Sequence, residues 1–304
     1  MASSEPAVAI CGIGHWGRKL VREFVRLTNV AGVFGVGNLH NRNWIMKNYP
    51  SLGITTNLEQ FLRRKDVSAV IIATPPDTHA ELALAALRNN KHVFVEKPLS
   101  THPDQVKHLY AEATRRQLCL FVGHIFLYHP VFEYIINHYP PSSWREVRFT
   151  WQKFGTFKYD IIQNLFIHDL AISQRLFGVA ANILLLEATA EISDSDQIQV
   201  KMVFNNDIVC YSRINRVSTV NFREMLFRSE NETLIWSGNR LFLVDRSKQA
   251  LPLLYEATEQ ALTRECRHFL NCIQHARAEA NEEDFEHNLA RTLSHFLTSI
   301  RSPK

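Results

Sequence analysis

The sequence has no run near the ~18 apolar residues that a membrane span needs, so no helical span is expected. Its first residues, Met1-Ala2-Ser3-Ser4-Glu5-Pro6, carry no charged segment followed by an apolar one and do not read as a signal peptide. Cysteine is sparse. Cys11, Cys119, Cys210, Cys266 and Cys272 form an odd set, and the nearest pair, Cys266 and Cys272, lacks metal-ligand spacing. Neither a disulfide framework nor a metal site follows from them. Cys11 and Cys119 lie in apolar runs, where a small buried residue is expected. Reduced thiols in the cytoplasm fit this usage. Long basic blocks are also missing: the densest runs are Arg63-Arg64-Lys65 and Arg115-Arg116, and 34 Lys and Arg against 30 Asp and Glu give a formal net charge of +4. That balance leaves no electrostatic footprint for nucleic acid. No internal repeat or low-complexity linker is present.

What is present is an ordinary globular composition, 46% hydrophobic and 21% charged over 304 residues, enough for two domains at roughly 150 residues each. Short apolar runs at Ala7–Ile13, Val30–Val36, Val67–Thr74, His92–Glu96 and Leu118–Val122 are β-branched or aromatic and apolar throughout. Such runs suit parallel strands buried on both faces. Amphipathic stretches separate them, with one stripe at Leu20, Val21, Phe24 and Val25 and another at Leu82, Leu84, Ala85 and Leu87. Strand–helix alternation predicts an α/β fold, a Rossmann-type doubly wound parallel sheet over residues 1–122.

Beyond residue 123 the pattern changes. A helix is expected over Asp160–Phe177, stopped by Gly178. Extended segments follow at Ala181–Ala190, Gln197–Phe204, Ile208–Val217, Phe222–Arg228, Thr233–Trp236 and Leu241–Val244, then helices at Leu262–His275 and Asp284–Ile300. Polar turns such as Asn205-Asn206-Asp207 and Ser237-Gly238-Asn239 join the strands, which predicts an antiparallel meander. Residues 123–304 are expected to form a second α/β domain on a largely antiparallel sheet.

The first apolar run leads into Gly12-Ile13-Gly14-His15-Trp16-Gly17, a G-x-G-x-x-G at a strand-to-helix junction. Gly12 allows the tight turn, Gly14 lets the backbone approach a pyrophosphate, and Gly17 lets helix and strand pack closely. The helix start offers free N–H groups to phosphates. His15 and Trp16 lie in the same loop. The second strand of such a fold commonly ends in an acidic residue that holds the ribose, but Phe34-Gly35-Val36-Gly37-Asn38-Leu39-His40-Asn41-Arg42 has no carboxylate. Asn38 can bond a 2′-hydroxyl, His40 or Arg42 can face a 2′-phosphate, and each can equally be an ordinary loop residue. NAD and NADP both stay open.

Ala73-Thr74-Pro75-Pro76-Asp77-Thr78-His79, then a helix, then Glu96-Lys97-Pro98 resemble the glucose–fructose oxidoreductase and inositol dehydrogenase family of sugar oxidoreductases. Gly123-His124-Ile125-Phe126-Leu127-Tyr128-His129-Pro130 is most similar to its branch acting on nucleotide-linked sugars. The resemblance implies a dinucleotide lying across Gly12–Gly17, the Thr74, Pro75 and His79 loop and Glu96–Lys97. It also implies a cis Lys97–Pro98 peptide, a homo-oligomer meeting through the open face of the second sheet, and Lys97 beside the nicotinamide handling the substrate hydroxyl proton. From the residues themselves, a lysine at the carboxyl edge of a parallel strand lies where open α/β sheets bind ligands. Partial burial would draw its pKa from ~10.4 towards ~7–8, suited to proton transfer.

The family pairs an Asp with a His four residues later on a helix of the second domain. Here Gln163-Asn164-Leu165-Phe166-Ile167-His168-Asp169 places His168 at the histidine and Asn164 at the aspartate. Both would project from one helix face, yet Asn164 can hold a substrate and cannot act as a base. Asp169 lies ~100° further round the helix and is no simple replacement. His124 and Lys153 are further substrate candidates, with His129 and Lys158 as weaker ones. The expected activity is hydride transfer between a nicotinamide and a hydroxyl or ketone carbon of a sugar or nucleotide-sugar. Asn164 favours the alternative of a non-catalytic binding protein on the same fold, and a non-sugar substrate such as a tetrapyrrole or dihydrodiol is the other.

Overall fold

The computed structural model describes residues 7–35, 37–275 and 282–301; Met1–Pro6 and Val36, both read above, lie outside the described residues. In chain order the first part runs Ala7–Cys11 (β1), His15–Leu27 (α1), Val30–Phe34 (β2), Leu39–Asn48 (α2), Ile54–Thr55 (β3), Glu59–Leu62 (α3), Val67–Ile72 (β4), His79–Arg88 (α4), His92–Glu96 (β5), Pro103–Arg115 (α5) and Leu120–Gly123 (β6). The six strands form one parallel sheet in the order β3-β2-β1-β4-β5-β6. The order reverses between β1 and β4, the switch point beside which such sheets bind ligands. The apolar runs are buried as expected, because helices cover both faces of a parallel sheet. Cys11, Val70, Ile72, Val93 and Val95 share a core with Ala83, Ala86 and Leu87 of α4 and Leu109 of α5. That corrects the stripe expected on α4: Leu82, Leu84 and Ala85 are only partly buried, and Ala83 and Ala86 face the sheet.

The second part contains Pro130–His138 (α6), Trp144–Phe154 (β7), Ile167–Phe177 (α7), Asn182–Thr189 (β8), Gln197–Val203 (β9), Val209–Asn215 (β10), Val217–Ser229 (β11), Thr233–Ser237 (β12), Arg240–Leu243 (β13) and Leu253–Glu256 (β14), before Ala261–His275 (α8) and Glu282–Arg301 (α9). Its eight-stranded sheet has the order β14-β13-β12-β11-β7-β10-β9-β8. The simple meander is therefore corrected: β7 is inserted at the centre and pairs parallel with β10. The alternation of β7 is broken near its start, where Trp144 opposes Ser229 but Glu146 opposes Arg228. That bulge at Arg145 puts Trp144, Val147 and Phe149 inside at a spacing no strict period-2 pattern shows. The short β3 and β14 are likewise additions to the expected strands.

The chain packs as two compact units, Met1–Ile125 with Leu262–Ala290 and Phe126–Ala261 with Arg291–Lys304. The expected division into 1–122 and 123–304 misses this return. In the first unit Phe269 of α8 packs on Phe94 of β5 and Phe121 of β6, with ring centroids 5.6 and 5.7 Å apart. An aromatic cluster of this kind buries enough apolar surface to hold a helix far away in sequence. Among the described residues no helix is long and apolar enough to cross a membrane.

Candidate functional site

The three loop glycines are not alike. Gly12 has φ +90°, and a Cβ there would fall 2.6 Å from the Ala73 carbonyl carbon. A Cβ on Gly17 would fall 2.0 Å from the Gly12 carbonyl oxygen. Packing and backbone conformation alone demand glycine at both positions. A Cβ on Gly14 would meet nothing within 4 Å, so the fold does not need glycine there. Gly14 is the N-cap of α1, makes no side-chain cap, and precedes a first turn without acidic residues. Free N–H groups, an uncompensated helix dipole and a side-chain-free approach fit a dinucleotide pyrophosphate. Asn38 caps α2, its Oδ1 accepting from the Asn41 N–H at 2.9 Å, and Arg42 is exposed on that helix.

The loop after β4 is tied to the turn after β5. His79 is 1% exposed, with Nδ1 2.8 Å from the Pro98 carbonyl and Nε2 2.9 Å from that of Thr74. Burial pulls its pKa below the usual imidazole value. His79, expected as a cofactor contact, lies as a strap between the Thr74-Pro75 segment and the cis Lys97–Pro98 peptide, its neutral ring donating to one of the two carbonyls, and so positions Lys97. Thr74 and Thr78 hydroxyls share a hydrogen bond of 2.6 Å. Lys97 is half-buried. Trp16, in the glycine loop, donates its indole N–H to Glu96 Oε1. Burial pushes the Glu96 carboxyl up to about 7, against the pull of Lys97 and Trp16. Glu96 thus serves the loop, through Trp16, with a carboxyl poised between charge states near neutrality.

Around Glu96 is an acidic cluster that the sequence does not advertise. Gly123 lies opposite Glu96 on β6, and a Cβ there would come 3.4 Å from Glu96 Oε1. Glu265, one helical turn before Phe269, is 0% exposed, and neither of its oxygens finds a hydrogen-bond partner among the described residues. Burial and the neighbouring Glu96 raise its pKa well above the ordinary carboxylate value, which favours the protonated form. His124 is buried, with Nε2 2.9 Å from Glu286 Oε1. Its Nδ1 is buried and finds no hydrogen-bond partner among the described residues. The one visible signal is a glutamate, Glu265, on the apolar stripe of α8.

In the second unit a single π-type turn, Ile162–Phe166, precedes α7. Such turns recur at functional sites. Asp160 Oδ1 caps its start by accepting from the Ile162 and Gln163 N–H groups, and Gly178 at φ +80° ends α7 as expected. Asn164 is half-buried, and His168 is 9% exposed. The His168 ring lies between Phe126 and Trp151, at centroid distances of 5.1 and 5.8 Å. Those rings also clamp the Arg223 guanidinium, 3.5 Å from Phe126 and 3.9 Å from Trp151. Arg223 Nη2 donates to Asp169 Oδ1 at 3.1 Å, and Ser212 Oγ donates to Oδ2 at 2.6 Å. Burial pushes Asp169 up to about 6 and Arg223 down to about 10, each against its partner's charge. Asp169 therefore faces the sheet and does not stand in for Asn164. The Phe126–Trp151–Arg223 wall went unread, since it joins three distant segments. Lys153 is half-buried with Nζ 5.9 Å from the Trp151 ring, while Lys158 is exposed near Tyr159. His129 is buried and caps α6.

Residues 7–124 match the oxidoreductase family with an NAD-binding Rossmann fold, GFO_IDH_MocA. The match takes in the parallel sheet and ends with its last strand. It is 26% identical over 277 residues, 87% of each chain, to UDP-N-acetylglucosamine 3-dehydrogenase of Acidithiobacillus ferrooxidans. The solved structure of that enzyme superposes with a TM-score of 0.84 at 24% identity over 95% of both chains. A 3-ketoreductase of Actinomadura kijaniata in complex with TDP-benzene and NADP gives 0.83 at 16% identity, covering 97% of this chain and 98% of that one. Biliverdin reductase of Synechocystis, with biliverdin and NADP+, gives 0.80 at 17%, covering 97% and 99%. At these identities the structural likeness speaks for the fold alone.

Proposed function

We propose that the chain is an NAD(P)-dependent oxidoreductase acting on a hydroxyl or ketone carbon of a sugar, and of a nucleotide-linked sugar in particular. The observation that carries this reading is the division among the loop glycines: two are demanded by packing, and at Gly14 the fold leaves open space through which a ligand can approach the backbone. Some relatives of this chain act on such sugars by name, as UDP-N-acetylglucosamine 3-dehydrogenase and dTDP-3,4-didehydro-2,6-dideoxy-alpha-D-glucose 3-reductase do. A nicotinamide, when bound, supplies the hydride chemistry, and the protein supplies placement and proton handling. Gly14, His15, Trp16, Thr74, Pro75 and Asn38 would hold it.

Lys97 Nζ takes the substrate hydroxyl proton in oxidation and returns it in reduction. Its backbone is fixed by the His79 strap, so its reach does not drift with the loop. His168, held between Phe126 and Trp151, can donate or accept a hydrogen bond to a substrate hydroxyl. Asn164 holds a neighbouring hydroxyl, and Lys153 suits a substrate phosphate. The second sheet presents Leu226, Ile235, Phe242 and Leu253 in one register row, with Leu253 50% exposed; past Leu226 the row runs on through Arg148, Tyr211 and Lys201 to Leu184. An apolar row of that kind fits a homo-oligomer interface. Five buried free cysteines fit the cytoplasm.

The test is a screen of UDP- and dTDP-linked hexoses and their keto forms against both dinucleotides, followed by nicotinamide absorbance. Turnover with a nucleotide-sugar is expected. Dinucleotide binding without turnover on any sugar would favour the regulatory reading that Asn164 supports.

A further inference from the structure

From Phe24 to Leu58 the chain has no aspartate or glutamate. This stretch holds β2 and α2, where a ribose diol is ordinarily gripped by a carboxylate. The first turns of α1 and α2 are free of acidic residues as well. What the structure puts there is cationic. Arg18, on α1 directly after Gly17, donates from Nη2 to Asn41 Oδ1 at 2.6 Å. Its guanidinium lies 5.1 Å over the Trp44 ring, and Arg22 lies 5.6 Å over the same ring. Among the described residues no carboxylate pairs with Arg18, and its Nε is buried without a hydrogen-bond partner. Arg42 adds an exposed charge at the end of the first turn of α2.

An arginine laid on an aromatic ring and pinned by an amide is already ordered. Binding an anion then costs it little conformational freedom, and its planar fork matches phosphate oxygens. A neutral diol gains nothing comparable, since a guanidinium only donates and cannot accept from both hydroxyls. We propose that this cradle takes the 2′-phosphate of NADP(H), with Arg18 as the specificity-determining residue and Arg42 as the second cation. The inference rests on the dinucleotide reading above and selects between its two cofactors.

The experiment is calorimetric titration of the full chain with NADPH, NADH, 2′,5′-ADP and 5′-AMP at low and high salt. NADPH is expected to bind roughly tenfold or more tighter than NADH, and 2′,5′-ADP tighter than 5′-AMP, both preferences shrinking with salt. Arg18→Ala should weaken NADPH roughly tenfold and leave NADH within about threefold. Asn38→Asp keeps α2 capped, because Asp caps as well as Asn, and should reverse the preference by placing a carboxylate against the phosphate. The inference is overturned if NADH binds wild type as tightly as NADPH, or if Arg18→Ala weakens both equally, as a merely structural arginine would. Tight NADH with no NADPH preference overturns this step alone. Failure of both dinucleotides to bind overturns the oxidoreductase reading with it.

Discussion

Replacing Gly14 and Gly17 in turn separates what the loop does for the fold from what it does for a ligand. A Cβ on Gly17 would sit 2.0 Å from the Gly12 carbonyl oxygen, which is backbone and cannot swing away. Overpacking of this sort costs ~1–3 kcal/mol or more, which for a chain of this size lowers Tm by about 2–4 °C per kcal/mol. Gly14→Ser meets nothing within 4 Å. It also adds a hydroxyl at the N-cap, where serine is a preferred residue, so stability should stay within ~0.5 kcal/mol of wild type or rise slightly. The same Cβ and hydroxyl occupy the approach of a pyrophosphate to the α1 N–H groups. Losing one charge-assisted hydrogen bond costs ~1.5–3 kcal/mol, about ten- to a hundredfold in dinucleotide affinity. Thermal melts and calorimetric titration of both variants test the pair. Gly14→Ser binding NADPH and NADH as wild type does, or melting as early as Gly17→Ala, would refute the division of labour.

Glu96 has its folded-state pKa raised from 4.5 to about 7. The folded chain therefore keeps a proton that the unfolded chain has released, and stability falls as pH rises through that window. Glu96→Gln should flatten this part of a Tm-against-pH curve, and a curve parallel to wild type would contradict the assignment. Glu265 shifts in the same direction, so Glu265→Gln should gain stability over wild type at alkaline pH, read by the same melts. Arg223→Met leaves Asp169 buried with Ser212 as its remaining hydrogen-bond partner among the described residues and should cost about 3–5 kcal/mol in urea unfolding. Adding Asp169→Asn should restore part of that loss, and additive losses would contradict a direct pair. His79→Ala cuts the strap between Thr74 and Pro98, and should weaken dinucleotide binding and lower turnover more than it lowers Tm.

Much of the first unit was legible because parallel strands buried on both faces write themselves as continuous apolar runs, and G-x-G-x-x-G directly follows the first of them. The second sheet was less so. Trp144–Phe154, its central strand, hides behind a bulge and alternating charges, so only the hairpins after it stood out. At the site, Lys97, Asn164 and His168 were readable from motif spacing. His79 and His124 were picked out, but their burial against Pro98, Thr74 and Glu286 depends on packing that no local pattern carries. Glu265 and Arg223 act through partners far away in sequence, Glu96 and Asp169, and a single chain without its fold gives no sign of either pairing.

Nicotinamide reduction or oxidation by the wild-type chain and by Lys97→Ala, with the best nucleotide-sugar from the screen, tests the central claim most directly. Loss of a positioned acid–base group removes roughly 10²–10⁴-fold in rate, so Lys97→Ala should fall by at least two orders of magnitude while dinucleotide affinity stays within a few fold of wild type. A Lys97→Ala chain that still turns over at a near wild-type rate would contradict the account.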